Sequence, residues 1–217
     1  MPSNIRMLCL LLVDTSDSMT GQHLEELDTA LDQFSQKLCH NRLLLERLDL
    51  DVAIVEFNST ANIVQPFMPI QYMESVQLTA GSGSDITVGL QKAIDMIDKH
   101  RQSCIDEGSQ LLCPWIVMIT DGGFTDSIDC LAEEIARLDN EDKLRLWAFT
   151  VQGANTESIY KLCNGKRVIE LKDYDFTNVF DCFIKSMGCG SVIHSFQPGE
   201  RAELPPNVVP VINDEWM

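Results

Sequence analysis

The chain has 217 residues, 45% of them hydrophobic and 23% charged, which suffices for one generous domain with a substantial core, or one domain plus a tail. Its 33 acidic against 16 basic residues give a formal charge of −17, which argues against nucleic acid and anionic membrane surfaces as partners. Both demand Lys and Arg to meet phosphate. The eight cysteines are scattered with no CxxC pair, and several sit inside apolar runs, so reduced thiols in a cytoplasmic protein are expected. Cys39 beside His40 falls short of the closely paired ligands that zinc usually needs.

In chain order, Met7–Val13 is an unbroken apolar run ending on Asp14, the pattern of a strand buried on both faces. It is too short to cross a bilayer. With Arg6 alone before it and no small-residue cleavage site after it, no signal peptide is expected. Leu24, Leu27, Leu31, Phe34 and Leu38 recur at helical spacing, with Glu25 and Glu26 in the early turns where they suit the helix dipole. Leu43–Leu48 extends this helix or forms a short second piece. Asp51–Phe57 alternates as a second strand, and Ala61–Phe67 is a shorter extended segment stopped by Pro66 and Pro69, as at a sheet edge.

Thr79–Asp85 (TAGSGSD) reads as a flexible loop before a helix marked by Ile86, Leu90, Ala93, Ile94 and Ile97. Trp115–Thr120 (WIVMIT) is a second fully apolar strand ending on Asp121, with a turn at Gly122 and Gly123. A helix over Ser127–Leu138, a strand over Leu144–Val151 and a helix over Thr156–Leu162 follow. A short strand at Arg167–Leu171 and a helix over Phe176–Met187 complete the pattern. This alternation predicts an α/β fold: a doubly wound, mainly parallel central sheet flanked by helices. Residues 1–188 are read as the domain. Residues 189–217, with Pro198, Pro205, Pro206 and Pro210, are read as an extended tail that wraps on the domain, engages something else or is disordered.

Two strands deliver aspartates in the same way. The first supplies Asp14, Ser16 and Ser18 (DTSDS) just past its end, and the WIVMIT strand supplies Asp121. In doubly wound sheets, ligands bind outside the carboxyl ends of strands where the winding reverses, so these residues converge if the strands are neighbours there. Carboxylates and hydroxyls are hard donors suited to Mg²⁺, Mn²⁺ or Ca²⁺. Taken singly, Asp14, Ser16 or Ser18 can instead cap the next helix, and Asp121 can be a turn residue.

Together, LLLVDTSDSM, the Gly-Ser-Asp loop and Thr120-Asp121-Gly122 resemble the metal-ion-dependent adhesion site of von Willebrand factor type A domains over residues 5–187. In that family a loop hydroxyl precedes a small-then-apolar pair five and six positions on. Ser84 fits this with Gly89 and Leu90, and Thr87 is the rival with worse spacing. The resemblance implies a metal site of Asp14, Ser16, Ser18, Ser84 and Asp121. Asp17 replaces the glycine common within the motif, and Ser84 the commoner Thr. Asp126 is read as a helix cap. TDGGFTD (Thr120–Asp126) and GSVIHSFQPGERAELPP look most like the small cytoplasmic bacterial members of the tellurium-resistance TerY type. Such proteins are associated with stress-response operons, beside kinase-like and phosphatase-like proteins.

The resemblance implies a non-enzymatic adaptor, docking an acidic side chain of a protein partner on a bound Mg²⁺ (or Mn²⁺ or Ca²⁺). The enzymatic alternative is a Mg²⁺-dependent phosphotransferase or phosphatase with Asp14 as nucleophile, but that chemistry wants a second Asp where Ser16 stands. A metal-independent scaffold is the third reading. No GxxxxGK[ST] or GxGxxG supports nucleotide binding. His23, His40, His100 and His194 flank no GxSxG, and surface or capping roles are expected for them. No catalytic residue is assigned.

Overall fold

The computed structural model describes residues 5–124, 127–151, 154–171 and 208–210, with the single positions 176, 180 and 184. Strand β1 (Ile5–Asp14) is its axis, and Met7 to Val13 are all 0% exposed. Because side chains alternate across a strand, β1 divides its residues between two cores. Met7, Cys9, Leu11 and Val13 join one hydrophobic cluster, and Leu8, Leu10 and Leu12 join the other. β2 (Asp49–Phe57) pairs parallel with β1 and is buried on both faces in the same way, with Val52 and Ile54 in the first core and Ala53, Val55 and Phe57 in the second.

The first core is covered by α1 (Gln22–His40), which buries Leu27, Leu31, Phe34 and Leu38 as the sequence spacing predicts. The short α2 (Arg42–Leu45) follows it as a separate piece, its first turn capped by Asn41. Residues 176, 180 and 184 are helical and buried on this side, and the Phe34 and Phe180 rings lie 4.6 Å apart. The rest of the helix expected over Phe176–Met187 lies outside the described residues. The second core is covered by α3 (Ile86–Asp106), α4 (Asp129–Asn140) and α5 (Thr156–Leu162).

β3 (Ala61–Pro69) returns antiparallel along β2 as an edge strand. It does not stop at Pro66. The ladder shifts register opposite Ile54, and Pro66 falls in that irregular stretch, where a missing N–H costs no ladder bond. β4 (Gln110–Leu111) makes a two-residue parallel pairing with the start of β1. β5 (Trp115–Thr120), β6 (Arg145–Val151) and β7 (Val168–Leu171) then extend the sheet in parallel on the far side of β1. From the tail, β8 (Val208–Pro210) pairs antiparallel with β7. The order is therefore β3-β2-β1-β5-β6-β7-β8, a mainly parallel sheet between two helical layers whose winding reverses between β1 and β5. Among the described residues, no helix is long and apolar enough to cross a membrane.

Candidate metal site

β1 and β5 are direct neighbours in register from Cys9 opposite Trp115 to Val13 opposite Ile119, so their ends open on one crevice. Asp14 lies at its floor with 0% exposure. Its Oδ1 accepts from the Ser16 backbone N–H (3.0 Å), and its Oδ2 accepts from the Ser84 hydroxyl (3.2 Å) and the Thr120 hydroxyl (2.7 Å). The Ser16 and Ser18 hydroxyls are 3.1 Å apart. Thus Asp14, Ser16, Ser18 and Ser84 are linked through hydrogen bonds, with Ser84 bonding Asp14 directly. Thr87 sits instead in the first turn of α3.

None of the motif residues caps α1, whose N-cap is Gly21 at φ 74°, and Ser16, at the N-cap position of the 3-10 turn that follows it, makes no side-chain cap bond. Asp121 does make the turn bond expected of its alternative reading, its Oδ1 accepting from Gly123 N–H at 3.2 Å. Its charge nonetheless bears on Asp14. Burial pushes the Asp14 carboxyl above its ordinary value, bonds from Thr120 and Ser16 pull it back, and the neighbouring Asp121 charge adds to the rise. Two carboxylates beside three hydroxyls form a hard-oxygen set lacking a compensating cation. Among the described residues, no Lys or Arg pairs with either carboxylate. The donor set therefore fits a small divalent cation.

Asp17 opens a 3-10 turn over Asp17–Met19 with its side chain exposed, and its carbonyl accepts from Thr20. It neither crowds the loop nor joins the bonded group. Asp126 lies outside the described residues.

Two supporting residues were assigned no role from the sequence, although Thr120 stands in the Thr120-Asp121-Gly122 motif. Thr120 is one, and it also accepts from Gly122 N–H at 2.9 Å, fixing the turn that carries Asp121. Asn58, after β2, is the other. Its amide donates to Thr15 Oγ1 (3.2 Å), its side-chain oxygen accepts from Thr60, and its carbonyl accepts from Asp85 N–H (2.8 Å). Gly81 N–H donates to Thr15 O at 2.8 Å, and a Cβ on Gly81 would fall 2.2 Å from Asn58 Nδ2, so glycine is required there. The loop before α3 is thereby pinned, with Ser84 held at 4% exposure. Acidic side chains finish the job: Asp32 accepts from Ser75, Asp28 from Leu78 N–H and Glu56 from Thr79 N–H. Asp85 caps α3 through Val88 N–H (3.1 Å).

At the opposite end of the sheet, Asp51, His100 and Cys104 place one ligand atom each within 4.8 Å of the others, a group able to hold a metal ion. The surface or capping role expected of His100 does not hold. Its Nε2 lies 2.8 Å from Asp51 Oδ2, and its ring stacks on Phe67. The sequence signal that was available is the His-x-x-x-Cys spacing, one helical turn on one face.

The sequence model described as the von Willebrand factor type A domain matches residues 10–181. No match to a curated protein reaches significance. Among solved structures, a von Willebrand factor type A protein from Catenulispora acidiphila is 13% identical with a TM-score of 0.63, the alignment covering 83% of this chain and 42% of that one. BatB from Bacteroides thetaiotaomicron is 16% identical with a TM-score of 0.58, over 83% and 98% of the two chains. Proximal thread matrix protein 1 from the mussel byssus, described with a zinc-occupied MIDAS motif, is 13% identical with a TM-score of 0.54, over 86% and 45%. The chain thus spans less than half the length of two of these relatives and nearly all of the third.

Proposed function

The chain belongs to the von Willebrand factor type A domain family, and from that premise we propose that it is a binding module rather than an enzyme. In this reading Asp14, Ser16, Ser18, Ser84 and Asp121 hold one Mg²⁺, or Mn²⁺ or Ca²⁺ in its place, and an acidic side chain of a protein partner completes the coordination. The observation that carries the reading is the convergence at Asp14. One buried carboxylate gathers Ser16, Ser84 and Thr120, and the charge of a second, Asp121, raises its pKa. Bound metal supplies the positive charge that lets a chain of formal charge −17 attract a carboxylate.

Hydrogen bonds hold the site's residues in place. Asp14 anchors the β1 end, Thr120 fixes the β5 turn, and Asn58 with Gly81 locks the Ser84 loop, so little ordering is left to be done on binding. Against the phosphotransferase alternative, both oxygens of Asp14 are occupied as acceptors, which is poor presentation for a nucleophile. The mussel relative's zinc-occupied MIDAS motif supports a divalent ion at this place in the fold. We assign the partner to a bacterial stress-response system of the tellurium-resistance type, with kinase-like or phosphatase-like proteins as first candidates, and the protein to the cytoplasm.

Titration calorimetry with Mg²⁺ and Mn²⁺ on the wild type, Asp14→Asn and Asp121→Ala tests the site, and equal affinity in all three would sink it. Capture of co-expressed operon neighbours should fail in EDTA, whereas EDTA-insensitive capture would favour a metal-independent scaffold. Phosphatase or ATPase turnover that vanishes in Asp14→Asn would restore the enzymatic reading.

A further inference from the structure

We propose that Asp51, His100 and Cys104 form a second metal site, selective for zinc, that fastens the end of α3 to the start of β2. His100 and Cys104 are one turn apart on the last part of α3, and Asp51 reaches them from the third residue of β2. The three ligand atoms lie within 4.8 Å of one another. A thiol, an imidazole and a carboxylate are the mixed donors of zinc, and the thiol makes the set unsuited to Mg²⁺ or Ca²⁺.

The second observation concerns Asp51 itself. Its side chain is 2% exposed, and its Oδ1 is buried with no hydrogen-bond partner. A buried carboxylate oxygen left unpaired is costly, and coordination would satisfy it.

The charge most relevant to the site is Arg6. Its Nη1 lies 3.3 Å from Asp51 Oδ2, 3.7 Å from Cys104 Sγ and 3.6 Å from Glu107 Oε2, and its Nε is buried without a partner. Arg6 thus occupies the place of a cation while remaining incompletely satisfied. Glu107, 62% exposed, offers it an alternative outside the cluster. Zinc entry displaces the guanidinium toward Glu107 and solvent. It also takes up Cys104 as thiolate, the thiol proton passing to solvent, and leaves the fourth position for water. The site lies near the far end of the helix that begins beside Ser84. His100 is about 20 Å along α3 from Ile86 at 1.5 Å per residue.

The test is Co²⁺ and Zn²⁺ titration of the full chain in an Asp14→Ala, Asp121→Ala background, so that the outcome does not depend on the other site. One equivalent of Co²⁺ should give thiolate-to-cobalt charge-transfer absorption, abolished by excess Zn²⁺. Cys104→Ser should lose the band. His100→Ala, at a half-buried position, should lose at least about tenfold in affinity, the lower bound when even a group behind a ligand is removed. Arg6→Gln should bind more tightly than its parent. No band in the parent, a band that persists in Cys104→Ser, or weaker binding in Arg6→Gln would overturn the proposal. The last result would make Arg6 the resident cation of a structural ion-pair network. Should Cys104→Ser fail to fold, the His100→Ala and Arg6→Gln results still decide.

Discussion

Asp14→Asn separates two opposed effects of one carboxylate. In the metal-free protein, burial and the Asp121 charge raise the folded pKa of Asp14 above its unfolded value. Between the two values the folded chain holds more protons than the unfolded one. Stability is therefore lost as pH rises through a window just above the ordinary aspartate range, and stays lost at neutral pH. The amide removes this penalty while keeping an acceptor for Ser16 N–H, and its NH₂ can donate to the Ser84 and Thr120 hydroxyls, which rotate to accept. In EDTA the variant should melt at or above the wild type. Metal reverses the order: at a hundredfold excess over Kd, binding stabilises the wild type by about 2.7 kcal/mol. At roughly 2–4 °C per kcal/mol for a chain of this size, that is a rise of about 5–11 °C. Scanning calorimetry in EDTA and in saturating Mg²⁺ should show the two melting temperatures cross. An equal metal-induced rise in both proteins, or a metal-free variant several degrees below the wild type, would refute the reasoning. Asp14→Ala serves as the control. It removes the acceptor that Asp14 gives the Ser16 N–H and the Ser84 and Thr120 hydroxyls, at roughly 1–3 kcal/mol for each group left unsatisfied, and should melt lower under both conditions.

Thr120→Val removes the 2.7 Å bond to Asp14 and the acceptor for Gly122 N–H. It should cost about 1.5–3 kcal/mol in urea unfolding and weaken Mg²⁺ binding severalfold by calorimetry. Gly89→Ala would place a Cβ 2.9 Å from the buried Phe57 ring. Overpacking of about 1–3 kcal/mol should exceed the helix-propensity gain of about 1 kcal/mol, so urea unfolding should show net destabilisation. Asp139, 5% exposed, is paired at 2.9 Å with both Arg145 and Arg167. Asp139→Ala should cost roughly 2–3 kcal/mol by the same measurement, less than a fully buried pair because both arginines reach water.

What was legible in the sequence followed from burial. WIVMIT is apolar up to its final Thr because β5 has strands on both sides and helices on both faces, so its ends at Trp115 and Thr120 match the run itself. Four of the five proposed ligands stand in short motifs at strand ends, Ser84 stands just before α3, and Gly89 is small because Phe57 lies against it. The parts that escaped lack such local constraint. β4 and β8 span two and three residues, too short for any period. β3 outran Pro66 because an edge strand tolerates a proline that a central strand would not. Asn58 acts through its amide on residues far along the chain, and Asp51 meets His100 across 49 positions, so neither carries a signature in its own neighbourhood.

The two outer strands of the sheet have a consequence for how the molecule meets others. Both β3 and β8 run against the direction of the five parallel strands between them, and both carry proline, at Pro66 and Pro69 on one side and Pro210 on the other. A proline offers an incoming strand no donor, so growth of the sheet by addition of a second chain is discouraged at either flank.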